Sequence, residues 1–111
     1  MTRCTVYVDS TSRITGFSVK GHAGYAEEGS DIVCAGISAL VTTIDQALVR
    51  LVGLRLTERE GDGLAEFFLP DRLTDSQMHD AQLLMATLHM GLENIAQDYP
   101  RHLRITTRRV K

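Results

Sequence analysis

A histidine in a glycine-spaced loop precedes a cysteine at the start of an apolar helix in GHAGYAEEGSDIVCAGISAL, residues 21–40. His22 and Cys34 are thereby a candidate base and a candidate nucleophile. Together they suit acyl transfer, in which a thiolate attacks a carbonyl and an imidazole hands a proton to the leaving group. The thiolate rather than the thiol is reactive, and a helix N-terminus and a neighbouring imidazolium are two local devices that favour it.

Asp31 stands where a helix N-cap would, just before the apolar run Ile32, Val33, Ala35, Ile37, Leu40 and Val41, and Asp is a preferred N-cap. Cys34 is then the third helical residue, with its sulfur in the positive end of the helix dipole. The Asp31 carboxylate works against a second negative charge there, so a protonated His22 is needed to tip the balance. The backbone N–H groups of Cys34 and Ala35 are candidate oxyanion donors. Asp31 could orient His22, cap the helix, or do both, and its position alone explains a cap. Ser38 lies one turn beyond Cys34 on the same helix face. Gly21, Gly24 and Gly29 give the loop backbone freedom, as in a flexible lid that closes over a peptide. Taken singly, each residue has a plainer explanation. A cysteine on an apolar helix is usually a small buried hydrophobe, a loop histidine is usually surface, and Gly36 serves close helix packing as readily as substrate approach. The combination carries the chemical reading.

The same stretch resembles the signature of the ribosomal-processing cysteine protease family, with Gly-His-Ala, a glycine, Asp-Ile-Val-Cys-Ala and Ser-Ala over twenty consecutive positions. The resemblance implies His22 as catalytic histidine and Cys34 as nucleophile, with Gly21, Asp31 and Ser38 also matching. It implies as substrate the N-terminal peptide of large-subunit ribosomal protein twenty-seven, whose short extension is removed during ribosome maturation. It also agrees with a homodimer.

The elements that must position these residues read as strands around 3–9 and 14–20, separated by a turn at Asp9 to Ser12. After the histidine loop comes a helix from about 32 to 53. A hairpin follows, 54–60 and 64–69, joined by Gly61-Asp62-Gly63, a glycine-rich turn of the kind hairpins use. Thr74-Asp75-Ser76-Gln77 reads as a capping box opening a second helix that Tyr99-Pro100 stops near 98. A last strand spans about 102–109. This is an α+β single domain over 1–111, order ββαββαβ, a five-stranded sheet covered by two main helices. The first helix is apolar over most of its circumference, which predicts burial on two sides, one against the sheet and the other against either the second helix or another subunit. Met78, Met85, Leu88 and Met90 on the second helix read as adaptable core.

The 111 residues are 43% hydrophobic, enough for one core. No signal peptide is expected, nor does an apolar run approach the roughly 20 residues of a membrane span, so the expected location is cytoplasmic. In that reducing setting Cys4 is a buried strand residue, with a Cys4–Cys34 bridge the alternative. Cys4 is also the one candidate resolving thiol if Cys34 were a redox sensor. His79 and His89 are ten residues apart and lack the spacing of a zinc pair, so neither metal nor cofactor is expected. All 14 acidic residues fall within 1–100, whereas 5 of the 12 Lys and Arg fall in 101–111. Such charges protect an edge strand, and direct RNA binding is not expected. Glu27 and Glu28 beside the loop could attract a basic peptide and would repel phosphate, and no GxxxxGK[ST] nucleotide cradle is present. The reading is a cysteine endopeptidase. Its alternative is a non-catalytic ribosome-associated binding module using the basic last strand.

Overall fold

Alternation of Cys4 and Val6 with Arg3 and Thr5 makes β1 (Thr2–Val8) a strand with one buried face. Asp9 then turns the chain, its Oδ1 accepting from the backbone N–H groups of Thr11 and Arg13 and from the Thr11 hydroxyl. The returning β2 (Ile14–Lys20) pairs antiparallel with β1, Cys4 opposite Val19 and Val6 opposite Phe17. The computed structural model describes residues 1–27 and 31–110. After α1 (Ile32–Arg50) come β3 (Thr57–Gly61) and β4 (Leu64–Phe68), then α2 (Asp75–Asp98) and β5 (Leu103–Arg109). The sheet order is β3-β4-β2-β1-β5, with β5 parallel to β1 and all other pairs antiparallel. The expected order ββαββαβ and α+β class are what the structure has.

Local chemistry explains where boundaries fall. Only Asp62 and Gly63 separate β3 from β4, and Gly63 has φ +64°, the left-handed conformation such a two-residue turn demands. The capping box forms as expected, Thr74 accepting from Gln77 N–H and Gln77 accepting from Thr74 N–H. The first helix ends at Arg50, earlier than the predicted 53, and the next strand starts at Thr57, later than the predicted 54. The reason is the helix end: Gly53 takes φ +80°, Leu54 N–H bonds the Leu48 carbonyl at 3.0 Å, and Leu54 is buried in the core. This is the hydrogen-bonded glycine termination many helices use.

Both helices lie on one face of the sheet, where Val33, Ile37, Val41, Ile44 and Leu48 of α1 and Ala81, Met85, Leu88 and Leu92 of α2 meet Cys4, Val6, Phe17, Val19, Phe67 and Leu103. The fully buried residues of α1 form one stripe against the sheet, and partly buried Leu40 covers a second side against α2, in line with the two-sided burial expected of this helix. Leu51 is 81% exposed and Met90 60% exposed, so Met90 is not core. Gly91 lets the helices approach: a Cβ there would sit 2.9 Å from Leu40 Cδ1. Gly36 faces Ile95, where a Cβ would make ordinary contact at 3.6 Å, consistent with helix packing. With 19 residues and mean hydropathy 1.8, α1 is long and apolar enough to cross a membrane by those two measures, contrary to the expectation above. Here its apolar stripe packs on the sheet.

Candidate active site

Asp31 caps α1 with both carboxylate oxygens. Oδ1 accepts from Val33 N–H and Cys34 N–H, each at 3.0 Å, and Oδ2 accepts from Tyr25 N–H at 3.0 Å and Ala26 N–H at 3.4 Å. One side chain thus ties the start of the helix to the end of the described part of the histidine loop. The Cys34 N–H, followed by those of Tyr25 and Ala26, holds the Asp31 carboxyl below the usual carboxylate range against the opposing effect of desolvation.

The cap changes one expectation. Cys34 N–H is taken by Asp31 Oδ1, and Ala35 N–H by the Asp31 carbonyl at 3.0 Å. Neither is a free oxyanion donor, because a capping side chain and the first helical bond satisfy the very groups a bare helix end would offer. The donor that meets the sulfur comes instead from the loop: Ala23 N–H donates to Cys34 Sγ at 3.2 Å. Nothing in residue type announces a backbone amide. On its other side Ala23 accepts from His102 Nδ1 at 2.9 Å, and Tyr25 stands edge-on to both Tyr99 and His102.

His22 begins the loop on the far side of Ala23. Gly21 precedes it at φ +86°, with its N–H on the Gly63 carbonyl at 2.7 Å and its carbonyl accepting from the Thr2 hydroxyl at 3.3 Å. Gly21 is therefore anchored to β1 and to the β3–β4 turn. Gly24 also has positive φ, +71°, and Gly29 lies outside the described residues. His22 Nε2 lies 3.4 Å from Asp62 Oδ1, with the two side chains 59% and 94% exposed. No hydrogen bond joins His22 to Asp31 or to Cys34. Both His22 and Cys34 line a cleft of about 390 Å³ with Gly24, Ala26, Asp31, Ala35 and Ser38, and a second of about 210 Å³ that reaches Gly61, Gly63 and Leu64. The structure therefore brings His22, Asp31, Cys34 and Ser38 together, with His22, Cys34 and Ser38 lining both clefts.

Cys4 is different. It is 1% exposed, and burial pushes its thiol up to about 12, the behaviour of an inert packing residue. Both cysteines are free thiols. His79 and His89 pair with Asp80 and Glu93 on the surface of α2.

Residues 1–104 match the model of the family described as cysteine protease Prp. The ribosomal processing cysteine protease Prp of Bacillus subtilis (strain 168) is 36% identical over 109 residues, covering 96% of this chain and 97% of its own. The fold superimposes with TM-score 0.88 and 28% identity on the essential ribosomal processing protease Prp of S. aureus in complex with a covalently linked product peptide, covering 97% of this chain and all of that one. The same S. aureus protease with a substrate peptide gives TM-score 0.82 and 26% identity, covering 97% of this chain and all of that one. An anchored histidine, a cysteine at a capped helix start and whole-length likeness to these relatives converge: the chain belongs to the cysteine protease Prp family and is a cysteine peptidase.

Proposed function

We propose that this peptidase removes the N-terminal extension of large-subunit ribosomal protein twenty-seven, using Cys34 as nucleophile and His22 as its proton partner. The observation that carries the reading is the shared cleft, in which His22 and the Cys34 sulfur, itself met by Ala23 N–H at 3.2 Å, face the same space. The Ala23 N–H points at the sulfur, which also sits at the start of α1 where the helix dipole is positive. Cys34 Sγ attacks the scissile carbonyl carbon and forms a C–S bond. The C–N bond then breaks as protonated His22 gives its proton to the leaving amine. Water hydrolyses the thioester, releasing the carboxylate and restoring the thiol. With Cys34 and Ala35 N–H occupied, the amide that meets the attacking atom itself is Ala23 N–H. Asp31 acts by positioning, since it joins the helix end to Tyr25 and Ala26.

The proposed setting is the bacterial cytoplasm, and the proposed assembly is a homodimer. The dimer reading rests on an apolar cleft of about 480 Å³ between α1 and α2, lined by Gly36, Leu40, Ile44, Leu88 and Ile95, with Leu83 and Met90 exposed on α2.

Incubating the pure protein with the long form of the ribosomal protein and weighing the products tests the function. One cut that removes the extension is expected, lost in Cys34→Ala and kept in Cys4→Ser. Processing by Cys34→Ala near the wild-type rate would refute the assignment. His22→Ala is expected to abolish processing while the protein stays folded. Processing by His22→Ala near the wild-type rate would remove His22 from the reaction.

A further inference from the structure

The face of the sheet turned away from both helices collects charge that is scattered in the sequence. Register places Arg104 of β5 beside Arg3 of β1, and Arg3 beside Lys20 of β2. All three are exposed, on strands about 4.8 Å apart. Arg59 and Arg108 lie on the same face, at the positions in register with Glu66 and with Tyr7. The carboxylate on this face is Glu66, with an oxygen 3.7 Å from Arg59. The acids of β3, Glu58 and Glu60, alternate to the other side. Among the described residues of these strands, five cations thus share the face with one carboxylate, in a chain whose formal net charge is −2.

Like charges directly opposite one another destabilise a sheet. Among the described residues no carboxylate lies within ion-pair distance of Arg3, Lys20 or Arg104. Edge protection explains Arg104 and Arg108, because β5 is an edge strand. It does not explain Arg3 and Lys20, whose strands have neighbours on both sides. At the other end of the face, Tyr7 and Phe68 rings lie 5.1 Å apart. The Phe68 ring covers Gly16, where a Cβ would come within 2.3 Å of it, so the aromatic pair lies on the same face as the cations, with Arg108 in register with Tyr7. A second copy of the chain packed on this face would add the same cations to these, which disfavours face-to-face self-association. A polyanion with planar groups fits both halves.

We propose that this face is an RNA-binding surface, with Arg3, Lys20 and Arg104 tracking the phosphate backbone across three strands and Tyr7 with Phe68 offering a stacking platform for bases. Backbone neutralisation and base stacking on aromatics are the two parts of sequence-tolerant single-strand binding. The edge-protection reading of the basic last strand is thereby extended to a function.

Fluorescence anisotropy of a labelled 20-nucleotide oligouridylate, titrated with the full chain between 25 and 200 mM KCl, tests it. Three to four neutralised phosphates predict a slope of log K on log salt of about −2 to −3. The triple variant R3Q/K20Q/R104Q is expected to bind at least tenfold more weakly with a slope shallower by about 2, while its melting temperature does not fall and its hydrolysis of a short peptide substrate is unchanged. Arg3→Gln alone, shallower by about 0.7, gives the same test should the triple variant not fold. Absence of binding at 25 mM KCl, or equal binding by the variants, would overturn the proposal. So would tighter binding to polyglutamate than to RNA, which would mark the face as a site for an acidic protein, or binding to phosphatidylserine vesicles without binding to RNA.

Discussion

Nδ1 of His102 lies 2.9 Å from the Ala23 carbonyl oxygen, and the amide of that same Ala23 reaches the Cys34 sulfur at 3.2 Å. A carbonyl only accepts, so Nδ1 carries the hydrogen, and a residue from the last turn before β5 fixes the loop that presents a donor to the nucleophile. His102 is thus a positioning residue. A neutral hydrogen bond of about 1 kcal/mol corresponds to roughly fivefold in the population of the anchored loop. His102→Ala is expected to lower kcat/KM for processing about fivefold with little change in melting temperature. His102→Asn, whose amide can also donate to the carbonyl, should restore much of the loss. Equal rates in all three proteins would show that the anchor does not serve the reaction.

Gly21 bears on the fold as well as on the loop. Its φ of +86° is strained for any other residue, and a Cβ would sit 2.8 Å from the Met1 carbonyl oxygen. Gly21→Ala should cost about 1–3 kcal/mol and lower the melting temperature by several degrees together with activity. Gly61→Ala, with nothing within 4 Å of the added carbon, is the control expected to melt like the wild type. Thermal melts of the pair decide it. A Gly21→Ala protein that melts normally would mean the loop yields, and the lid reading of Gly21 would stand.

The strand and helix order was legible because each element carries a local signal: alternation at Cys4 and Val6, the Asp62-Gly63 turn, the Thr74–Gln77 box and the Asp31 cap. The side chains proposed for the chemistry, His22 and Cys34, stood out as candidates by residue type and spacing. What escaped depends on register and on backbone atoms. No residue type reveals that Ala23 offers its amide to sulfur, or that His102, separated from it by 79 positions, holds the same alanine. The free helix-end donors expected at Cys34 and Ala35 were misread for a related reason: the same Asp31 that marks the helix start consumes them. Likewise the cations of β1, β2 and β5 form a row only once the sheet order is known.

Asp31 supports the site with four accepted bonds, two per oxygen. In Asp31→Asn one oxygen becomes an NH₂ donor, which cannot accept from either N–H pair. The helix cap can survive on the remaining oxygen, while Tyr25 and Ala26 lose their acceptor. We expect a folded protein with processing reduced at least tenfold. Because the folded carboxyl lies below its unfolded value near 4, its contribution is complete above that value and disappears as pH falls through the lowered folded value. In the wild type the amide resonances of Tyr25, Ala26 and Cys34 should therefore shift together on acidification, with a midpoint below the usual carboxylate range. Separate midpoints for the three amides would mean that Asp31 does not bind them as a unit.

Glu58 of β3 faces Asp45 of α1 in a cleft that Glu60 also lines. Hydrogen bonding to Asp45, then desolvation and the charge of Asp45, push the Glu58 carboxyl up to about 7. A folded value above the unfolded one near 4.3 gives a contribution that is complete below the unfolded value and is lost as pH rises through about 7. Above that pH the two carboxylates repel. Solvent screening at this exposed strand leaves about 0.5–1 kcal/mol of the effect. Relative to Glu58→Gln, the wild type should therefore lose about 2–4 °C of melting temperature between pH 5 and pH 8. Glu58→Gln keeps an amide donor for Asp45 at every pH, so its curve should be flatter across this window. Parallel curves for the two proteins would show that Glu58 and Asp45 do not share a proton in the folded state.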